Sequence, residues 1–307
     1  MTSVMTHSTG RHEIGPAVIA IGVFDGVHIG HQQLISDTIA IARDRRCTAC
    51  VLTFDRDPDQ VVTPAHPAPQ LISFADKVRL ISALGPDAIL IVPFDEWLAS
   101  LSPDDFCIDV LLDAAEPVAC VVGYDFRFGT RASGDADTLR ALGSLHGFQV
   151  VTHPLVHADG APVTSTRIRA LVAQGDVTAA ARLLGRPHRL HGEVVRGKGF
   201  GATLGTPTAN LAVPREFALP ADGVYAGWAT VAEGRFAAAI SVGLPPTFPD
   251  ATCVLEAHLL GYAGELYGQP IMLEFVERIR DQRAFQDRET LATAIQADVA
   301  RTGMLLG

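Results

Sequence analysis

Residues 19–31 read Ile-Ala-Ile-Gly-Val-Phe-Asp-Gly-Val-His-Ile-Gly-His, an apolar run that leads into a glycine-containing turn. The run predicts a buried parallel strand ending at Val23, and residues 32–45 predict the helix that follows. Gly26 and Gly30 let the backbone of the turn approach a ligand closely. Backbone N–H groups and the helix dipole favour an anion at such a helix start. The stretch therefore predicts an open α/β sheet with an anion site beyond this strand.

Two histidines in the turn, His28 and His31, are three positions apart. At a helix start this spacing places both imidazoles on one face, where they can meet one phosphate. The alternatives are ordinary packing and half of a metal site, which needs further histidine, cysteine or carboxylate ligands. The P-loop and Rossmann fingerprints are both absent from this stretch. The position at a strand end favours phosphate.

Composition leaves room for two modules, because 307 residues exceed the usual ~100–200 of one domain and 48% of them are hydrophobic. The formal net charge of −10 argues against a general nucleic-acid partner. Phosphate ligands must then be held by local basic residues and backbone amides. We see no membrane span in the sequence.

Residues 1–12 are polar and lack the basic start and apolar core of a secretory signal. We interpret them as the frayed tail of a cytoplasmic protein. The five cysteines form no disulfide framework. Cys47 and Cys50 have the Cys-x-x-Cys spacing, which leaves redox chemistry or zinc binding open as an alternative.

Through the first 185 residues, apolar strands alternate with stretches of helical periodicity, which predicts a parallel β-α-β sheet. The predicted strands lie near residues 18–23, 50–54, 88–92, 118–122 and 150–153, and the predicted helices cover residues 32–45, 76–84 and 103–112. After residues 184–187, Leu-Gly-Arg-Pro, short β-like runs are separated by glycine and proline. This change predicts a domain boundary, followed by a small closed β-barrel and a C-terminal helix over residues 288–301.

Three segments of the first module carry a family resemblance. Residues 22–31, Gly-Val-Phe-Asp-Gly-Val-His-Ile-Gly-His, resemble the His-x-Gly-His signature of the nucleotidyltransferase superfamily in the form used by FAD synthetases. Residues 123–129, Gly-Tyr-Asp-Phe-Arg-Phe-Gly, resemble that family's second flavin and nucleotide loop. Residues 164–169, Thr-Ser-Thr-Arg-Ile-Arg, resemble its phosphate-gripping segment. The similarity continues past residue 185 into a riboflavin kinase-like module and so covers nearly the whole chain.

The chain thus resembles the prokaryotic bifunctional riboflavin kinase/FMN adenylyltransferases. The resemblance implies a Rossmann-like nucleotidyltransferase domain over residues 14–185 and a riboflavin kinase-like β-barrel over residues 188–307. It implies an enzyme that forms FMN from riboflavin and FAD from FMN, with ATP as substrate and Mg²⁺ as metal. Riboflavin, FMN, FAD and ATP are then its ligands, and we expect no nucleic-acid or membrane partner and no tightly bound prosthetic group.

In the adenylylation that the resemblance implies, the FMN phosphate attacks the α-phosphorus of ATP and pyrophosphate leaves. Catalysis is then mostly positioning and electrostatics, with His28 and His31 stabilising the α-phosphate. The implied nucleotide-binding residues are Gly22, Phe24, Asp25, Gly26, Gly30, Ser165, Thr166 and Arg169, and the implied flavin-binding residues are Asp125 and Phe126. Ser165 and Thr166 begin a predicted helix and can hold the β- and γ-phosphates, with an ordinary helix cap as the alternative.

In the second module, residues 197–210, Gly-Lys-Gly-Phe-Gly-Ala-Thr-Leu-Gly-Thr-Pro-Thr-Ala-Asn, resemble the glycine-rich loop and Pro-Thr-Ala-Asn motif of riboflavin kinases. The residues assigned to the nucleotide are Gly197, Lys198 and Gly205. Thr208 and Asn210 alternate to one side of an extended chain and offer neutral oxygens that suit Mg²⁺ carried in with ATP. A simple turn is the alternative interpretation of this segment.

Glu256 matches the family's catalytic base. A carboxylate in an apolar strand is costly without a task or a partner, and this one can take the proton of the ribityl 5′-hydroxyl as that oxygen attacks the γ-phosphate. A solvent-facing strand position is the alternative. Arg280 and Phe285 fall where the family closes over the flavin, and Phe285 either stacks on the isoalloxazine ring or caps the barrel core.

Four positions depart from the family pattern. Asp57 stands where the Phe-x-Pro-His-Pro segment has histidine, and an aspartate repels phosphates unless a metal or the neighbouring Arg56 neutralises it. In the kinase module the departures are Ala202 for arginine, Thr206 for phenylalanine and Ser241 for asparagine. They leave two alternatives open: an enzyme with one active module or a flavin-analogue substrate, and a non-catalytic flavin-binding protein.

Overall fold

The computed structural model describes residues 2–7, 14–196, 206–243 and 255–307. Contacts between residues divide the chain into two compact units, Met1–Ser165 and Thr166–Gly307. Each unit has its own hydrophobic core. Among the described residues, no helix combines the length and the apolar character needed to cross a lipid bilayer.

The first unit is built on a parallel β-sheet. Its strands are β1 (Ser3–Thr6), β2 (Ile14–Ile21), β3 (Thr48–Phe54), β4 (Ala88–Val92), β5 (Ala115–Gly123), the short β6 (Arg127–Phe128) and β7 (Gly134–Asp135), β8 (Gln149–His153), and the short β9 (His157–Ala158) and β10 (Ala161–Pro162). Within the described residues, the sheet has six strands in the order β1-β4-β3-β2-β5-β8, all parallel. Its helices are α1 (Ile29–Arg45), α2 (Asp59–Val62), α3 (Phe74–Leu84), α4 (Glu96–Ser100), α5 (Pro103–Asp105) and α6 (Ala136–His146).

The sheet confirms the predicted parallel α/β fold, with small differences at the element ends. Strand β2 ends at Ile21, so that Val23 already belongs to the turn. Helix α1 begins earlier than predicted, because His28 caps it and its Nδ1 accepts a hydrogen bond from the backbone N–H of His31. The segment predicted as one helix over residues 103–112 is α5 followed by a π-helix, Phe106–Leu112.

The prediction of a frayed tail is wrong for residues 3–6. These residues form β1, which pairs in parallel with β4 at the sheet edge. The backbone N–H of Ser3 donates to the Asp87 carbonyl at 2.9 Å, and that of His7 donates to the Ile91 carbonyl at 2.8 Å. An edge strand is held largely by backbone hydrogen bonds on one side, so it needs few buried side chains. In β1, Met5 packs against the core and Val4 is exposed.

The composition of strand β3 explains why it lies at the centre of the sheet. Five of its seven side chains are apolar, and residues 49–54 are buried on both faces, which is the pattern of a parallel strand between two layers of helices. Cys50 lies in the core in this strand, where burial raises the pKa of its thiol to about 12. Cys47 is a free thiol whose Sγ lies 3.7 Å from the Ala42 carbonyl oxygen. A buried thiol with a raised pKa is unreactive, so Cys50 behaves as a packing residue.

The second unit is a closed β-barrel with helices, which confirms the predicted C-terminal architecture. Its strands are β11 (His188–Val195), β12 (Ala209–Ala212), β13 (Gly223–Val231), β14 (Gly234–Val242), β15 (Leu255–Leu259) and β16 (Pro270–Asp281), and its helices are α7 (Ser165–Ala173), α8 (Val177–Leu184) and α9 (Arg288–Leu306). The described strands close in the order β11-β12-β15-β14-β13-β16. Helix α8 contacts β16 and β11, so it packs with the barrel although it precedes the domain boundary predicted at residues 185–188. The domain limits themselves stay a prediction.

The first residue of the barrel, His188, makes the stability of this unit depend on pH. His188 is 1% exposed, and its Nε2 lies 2.8 Å from the Ala218 carbonyl oxygen. Burial lowers its pKa from 6.5 to about 4. Because the unfolded chain binds a proton below pH 6.5 that the folded barrel does not, stability falls as the pH drops from 6.5 toward 4.

We expect His188→Gln to flatten this dependence. Between pH 7 and pH 5 the wild-type barrel should lose about 2 kcal/mol more unfolding free energy than the variant. The measurement is urea unfolding followed by the fluorescence of Trp228 in a Trp97→Phe background. Equal losses in both proteins would show that His188 does not titrate on unfolding.

Candidate active sites

The turn after β2 has a strained backbone. A 3₁₀ turn, Asp25–Val27, joins β2 to the start of α1. Gly26 has a φ of 79°, which glycine adopts freely, whereas Phe24 at 55° and Val27 at 38° are in the left-handed region without being glycine. Such strain persists only where surrounding packing holds it, and it concentrates at functional sites. Phe24 is buried, and its ring lies 5.2 Å from that of His31, edge to face.

The two histidines of the turn lie together, as their spacing predicts. The rings of His28 and His31 are stacked with centroids 3.5 Å apart and an interplanar angle of 17°. Burial, followed by repulsion from His28 and Lys77, holds the pKa of His31 well below its ordinary value. His31 is therefore a neutral imidazole at pH 7, and its buried Nδ1 makes no hydrogen bond within the described structure. The described residues hold no cluster of three or more His, Cys, Asp or Glu side chains suited to a metal ion.

The packing of the turn also explains why residues 22 and 30 are glycines. A Cβ on Gly22 would lie 2.9 Å from the Phe24 ring, and one on Gly30 would lie 3.2 Å from the ring atoms of His28. Both distances are shorter than ordinary van der Waals contact. Gly22 and Gly30 therefore leave room for the side chains that shape the turn.

Asp25 makes hydrogen bonds that stabilise the turn, in addition to its predicted role in nucleotide binding. Its buried carboxylate accepts hydrogen bonds from the backbone N–H of Leu71 at 3.0 and 3.2 Å. The hydroxyl of Ser165 donates to the Asp25 carbonyl at 2.9 Å, which ties this serine to the turn. Thr166 and Arg169 lie in the first turns of α7 in the second unit, and their contact with a nucleotide stays a prediction.

A cavity of about 670 Å³ lies beyond the carboxyl ends of β2 and β3. Gly22 and Val23 form part of its wall, and so do five phenylalanines and two arginines. These are Phe54, Phe94, Phe106, Phe126, Phe128, Arg127 and Arg131. Phe126 and Phe128 are stacked at 5.3 Å, and Phe54 meets Phe94 edge to face at 5.3 Å. Phe126 was predicted as a site residue and the other rings were not, although Phe54 and Phe94 stand at or just after strand ends.

Asp125 does not line this cavity among the described residues. Its Oδ1 would lie 3.1 Å from a Cβ on Gly123, so Asp125 packs close to the last residue of β5. The assignment of Asp125 to the flavin stays a prediction.

Lys77 lies at this site although its sequence position did not predict it. It lies in α3, is 4% exposed, and its Nζ donates to the carbonyls of Val23 and Phe54, both at 3.1 Å. The same nitrogen is 3.8 Å from the Asp57 carboxylate. The expected partner of Asp57, Arg56, instead pairs with Asp55 at 3.0 Å. Burial lowers the pKa of Lys77, and attraction to the nearby aspartates opposes that shift.

In the barrel, polar side chains form a row across three neighbouring strands. Asn210 on β12 and Ser241 on β14 are the cross-strand partners of Glu256 on β15. Glu256 points away from the core, because its neighbours Leu255 and Ala257 belong to the core. The Thr208 hydroxyl donates to Glu256 Oε2 at 3.3 Å. Burial raises the pKa of Glu256, and this hydrogen bond partly offsets the rise.

A second cavity, of about 390 Å³, adjoins this row. Thr208 and Pro207 line it together with Tyr262 and Tyr267. Gly197, Lys198, Ala202 and Gly205 lie outside the described residues. Thr206 is buried, and its hydroxyl has no hydrogen-bond partner within the described structure.

Arg280 is held by the terminal helix. Its guanidinium pairs with Asp298 of α9 through Nε at 3.0 Å and Nη2 at 2.7 Å, and it lies 5.5 Å from the centroid of the Phe285 ring. Gln282 donates from Nε2 to the Ser241 hydroxyl at 2.7 Å, which links this segment to the polar row. Arg280 therefore fastens α9 to β16, and flavin contact by Arg280 or Phe285 stays a prediction.

Comparisons with known proteins agree with both units. The family model described as FAD synthetase matches residues 11–167, and the model described as riboflavin kinase matches residues 184–306. Proteins named bifunctional riboflavin kinase/FMN adenylyltransferase are 36% identical in Pseudomonas fluorescens, with 95% of this chain and 94% of the relative covered, and 33% identical in Bacillus subtilis, with 95% and 93% covered. A crystal structure titled macrolide-efflux protein, from Streptococcus pneumoniae, matches with a TM-score of 0.87 at 28% identity, over 97% of this chain and 98% of that one.

Fold, sites and matches define a transferase of phosphorus-containing groups in which a nucleotidyltransferase is fused to a kinase. The relatives carry this pair of modules over nearly the full length of the chain. The chain belongs to the bifunctional riboflavin kinase/FMN adenylyltransferase family.

Proposed function

We propose that this enzyme phosphorylates riboflavin to FMN in the barrel and adenylylates FMN to FAD in the α/β unit, with ATP as the donor in both reactions. We assign the adenylyltransferase to residues 14–185 and the kinase to residues 188–307. Because both reactions consume ATP, we place the protein in the cytoplasm. The observation that carries the proposal is the position of the stacked histidines and of a phenylalanine-lined cavity beyond the end of the same strand, β2.

The phenylalanine-lined cavity supports flavin binding in the α/β unit. The isoalloxazine ring is a large planar aromatic group, and aromatic side chains pack on such rings face to face or edge to face. Apolar walls with a few polar groups are typical of cofactor sites of this size. Arg127 and Arg131 on the wall supply positive charge for an anionic flavin.

His28 and His31 act on the phosphates. Adenylyl transfer needs no covalent enzyme intermediate, so the protein has to align the FMN phosphate with ATP and stabilise the charge that grows on the transferring group. His31, neutral and with a buried unbonded Nδ1, is suited to hydrogen-bond a phosphate oxygen without a change in protonation. Ser165, Thr166 and Arg169 are proposed to hold the β- and γ-phosphates.

In the barrel, Glu256 is the proposed general base. Its raised pKa favours proton uptake, so it can accept the proton of the ribityl 5′-hydroxyl while that oxygen attacks the γ-phosphorus of ATP and ADP leaves. Thr208 and Asn210 offer neutral oxygens beside this carboxylate. This small set of oxygen donors fits Mg²⁺, which takes one or two protein ligands and completes its shell with phosphates and water. The metal would neutralise phosphate charge.

A product assay by chromatography tests the proposed function. Purified protein is incubated with riboflavin, ATP and Mg²⁺ and, separately, with FMN, ATP and Mg²⁺. We expect FMN and then FAD in the first incubation and FAD in the second. FAD formation from FMN alone would confine activity to the α/β unit, and flavin binding without any product would point to a non-catalytic flavin-binding protein.

Phe126→Ala should weaken flavin binding in the α/β unit alone. Loss of one stacked ring from the cavity should raise KM for FMN in FAD formation by about tenfold. The matched control is Tyr124→Ala, because Tyr124 is 72% exposed and does not line the cavity. Steady-state kinetics of both variants check this, and an unchanged KM for FMN in Phe126→Ala would remove this ring from the flavin site.

A further inference from the structure

A buried ammonium group lies beneath the phosphate-binding turn and takes no part in the chemistry described above. Lys77 is 4% exposed, and its Nζ bonds the carbonyls of Val23 and Phe54, at the carboxyl ends of β2 and β3. A buried charge is costly unless hydrogen bonds and an opposite charge compensate it. The carboxylate paired with it is that of Asp57, at 3.8 Å, and Asp25 and Asp55 also attract the ammonium.

Three aspartates lie at this edge of the sheet, where the substrates are polyanions. Asp25 is bonded by the backbone N–H of Leu71, and Asp55 is bonded by that of Phe94 at 2.7 Å. Asp57 has the buried Lys77 ammonium beside it, and both side chains are largely shielded from water. At short range and in a medium of low dielectric constant, an uncompensated carboxylate here would repel phosphate groups.

The ammonium is also near the histidine pair. Repulsion from Lys77 contributes to the lowered pKa of His31. The same positive charge that disfavours a charged His31 favours an anion placed against its imidazole.

We propose that Lys77 is a positioning residue for FMN adenylylation, whose ammonium neutralises the charge of Asp57, so that ATP phosphates bind beside His31. The inference rests on the proposed function of the α/β unit. A purely structural role would make Lys77 matter only through its bonds to the two carbonyls. Changing the charge of Asp57 distinguishes electrostatic positioning from a purely structural role. Only in the positioning role does the charge of Asp57 affect the binding of the ATP phosphates.

Asp57→Asn is the variant that leaves Lys77 and its carbonyl bonds in place. We expect its KM for ATP in FAD formation to fall by roughly threefold to tenfold, since one negative charge near the phosphates is removed. Asp44→Asn is the matched control, because it makes the same change in net charge at an exposed position of α1 and should leave KM unchanged. An unchanged or higher KM for ATP in Asp57→Asn overturns the proposal.

Lys77→Met tests the ammonium itself. We expect KM for ATP to rise by at least about tenfold, while riboflavin phosphorylation by the same preparation stays within about twofold of wild type. The double variant Lys77→Met/Asp57→Asn, which restores the charge balance without restoring the carbonyl bonds, should return KM for ATP to within about threefold of wild type. A folded double variant whose KM stays more than about tenfold above wild type overturns the proposal.

Loss of folding and loss of ATP binding are measured separately for these variants. If Lys77→Met alone does not fold, as judged by circular dichroism, Asp57→Asn and the double variant decide the question. Wild-type protein that forms no FAD would refute the proposed function. If the wild-type protein does form FAD, the KM values for ATP of the variants test only the proposed role of Lys77.

Discussion

Glu256→Gln is expected to lower kcat for FMN formation by on the order of 10²- to 10⁴-fold and to leave FAD formation from supplied FMN unchanged. Glutamine keeps the size of the side chain and an oxygen that can accept from Thr208, so the contact at 3.3 Å can persist. The amide cannot take up a proton, which removes the base and little else. FAD formation should be unaffected because Glu256 lies in the part that matches riboflavin kinase, residues 184–306, and outside the part that matches FAD synthetase, residues 11–167.

The pH profile of FMN formation supports the same assignment. Glu256 must be ionised to act as a base, and burial raises its pKa. The acid limb of kcat/KM should therefore lie above the range of an ordinary glutamate, and activity should be lost as pH falls through the raised pKa. This limb should be absent from the residual activity of the variant.

The matched control is Glu216→Gln, an identical change at an exposed position of the same unit. It should keep both activities. Equal loss of FMN and FAD formation in Glu256→Gln would contradict the division of labour between the units. Full retention of FMN formation would remove Glu256 from the chemistry.

His28→Ala should lower FAD formation by on the order of 10²-fold or more, with riboflavin phosphorylation unchanged. The variant removes an imidazole that is stacked at 3.5 Å on His31 and thereby held in one orientation. A preoriented group stabilises charge in the transition state without reorganising, and its loss appears in kcat. The measurement is steady-state FAD formation with saturating FMN and ATP.

His28 also caps α1, so a second variant separates the two roles. His28 Nδ1 accepts from the backbone N–H of His31, and losing such a cap costs about 1 kcal/mol of stability. His28→Asn supplies another cap acceptor but no imidazole, and it should be as inactive in FAD formation as His28→Ala. Recovery of activity in His28→Asn would assign His28 to capping. His146→Ala, at the exposed end of α6, is the control and should be fully active.

Much of the fold follows from local pattern. Continuous apolar runs separated by helical periodicity can be buried only as central strands of a covered parallel sheet, and this logic located β3 and β4 closely. The spacing of His28 and His31 likewise placed both imidazoles on one face at a helix start. In β15 the alternation of the strand puts Glu256 on the face opposite the core, a placement that the sequence alone left open.

Other features depend on contacts between residues far apart in the chain, which no local pattern encodes. Strand β1 forms because β4 offers an unpaired edge, and its four residues, of which Met5 packs against the core, are too short a pattern to predict a strand. The phenyl rings of the cavity come from separate strand ends and loops, so only the packed sheet brings them together.

The charge interactions of Lys77 likewise could not be predicted from local sequence pattern. A lysine in an amphipathic helix is expected on the solvent side, and the sequence suggested Arg56 as the partner of Asp57. Burial reverses both expectations, because an ammonium removed from water needs nearby oxygens, and the ends of β2 and β3 supply them. Composition and periodicity thus determine which segments become strands and helices, whereas charge pairing and cavity shape arise when the strand ends converge at one edge of the sheet.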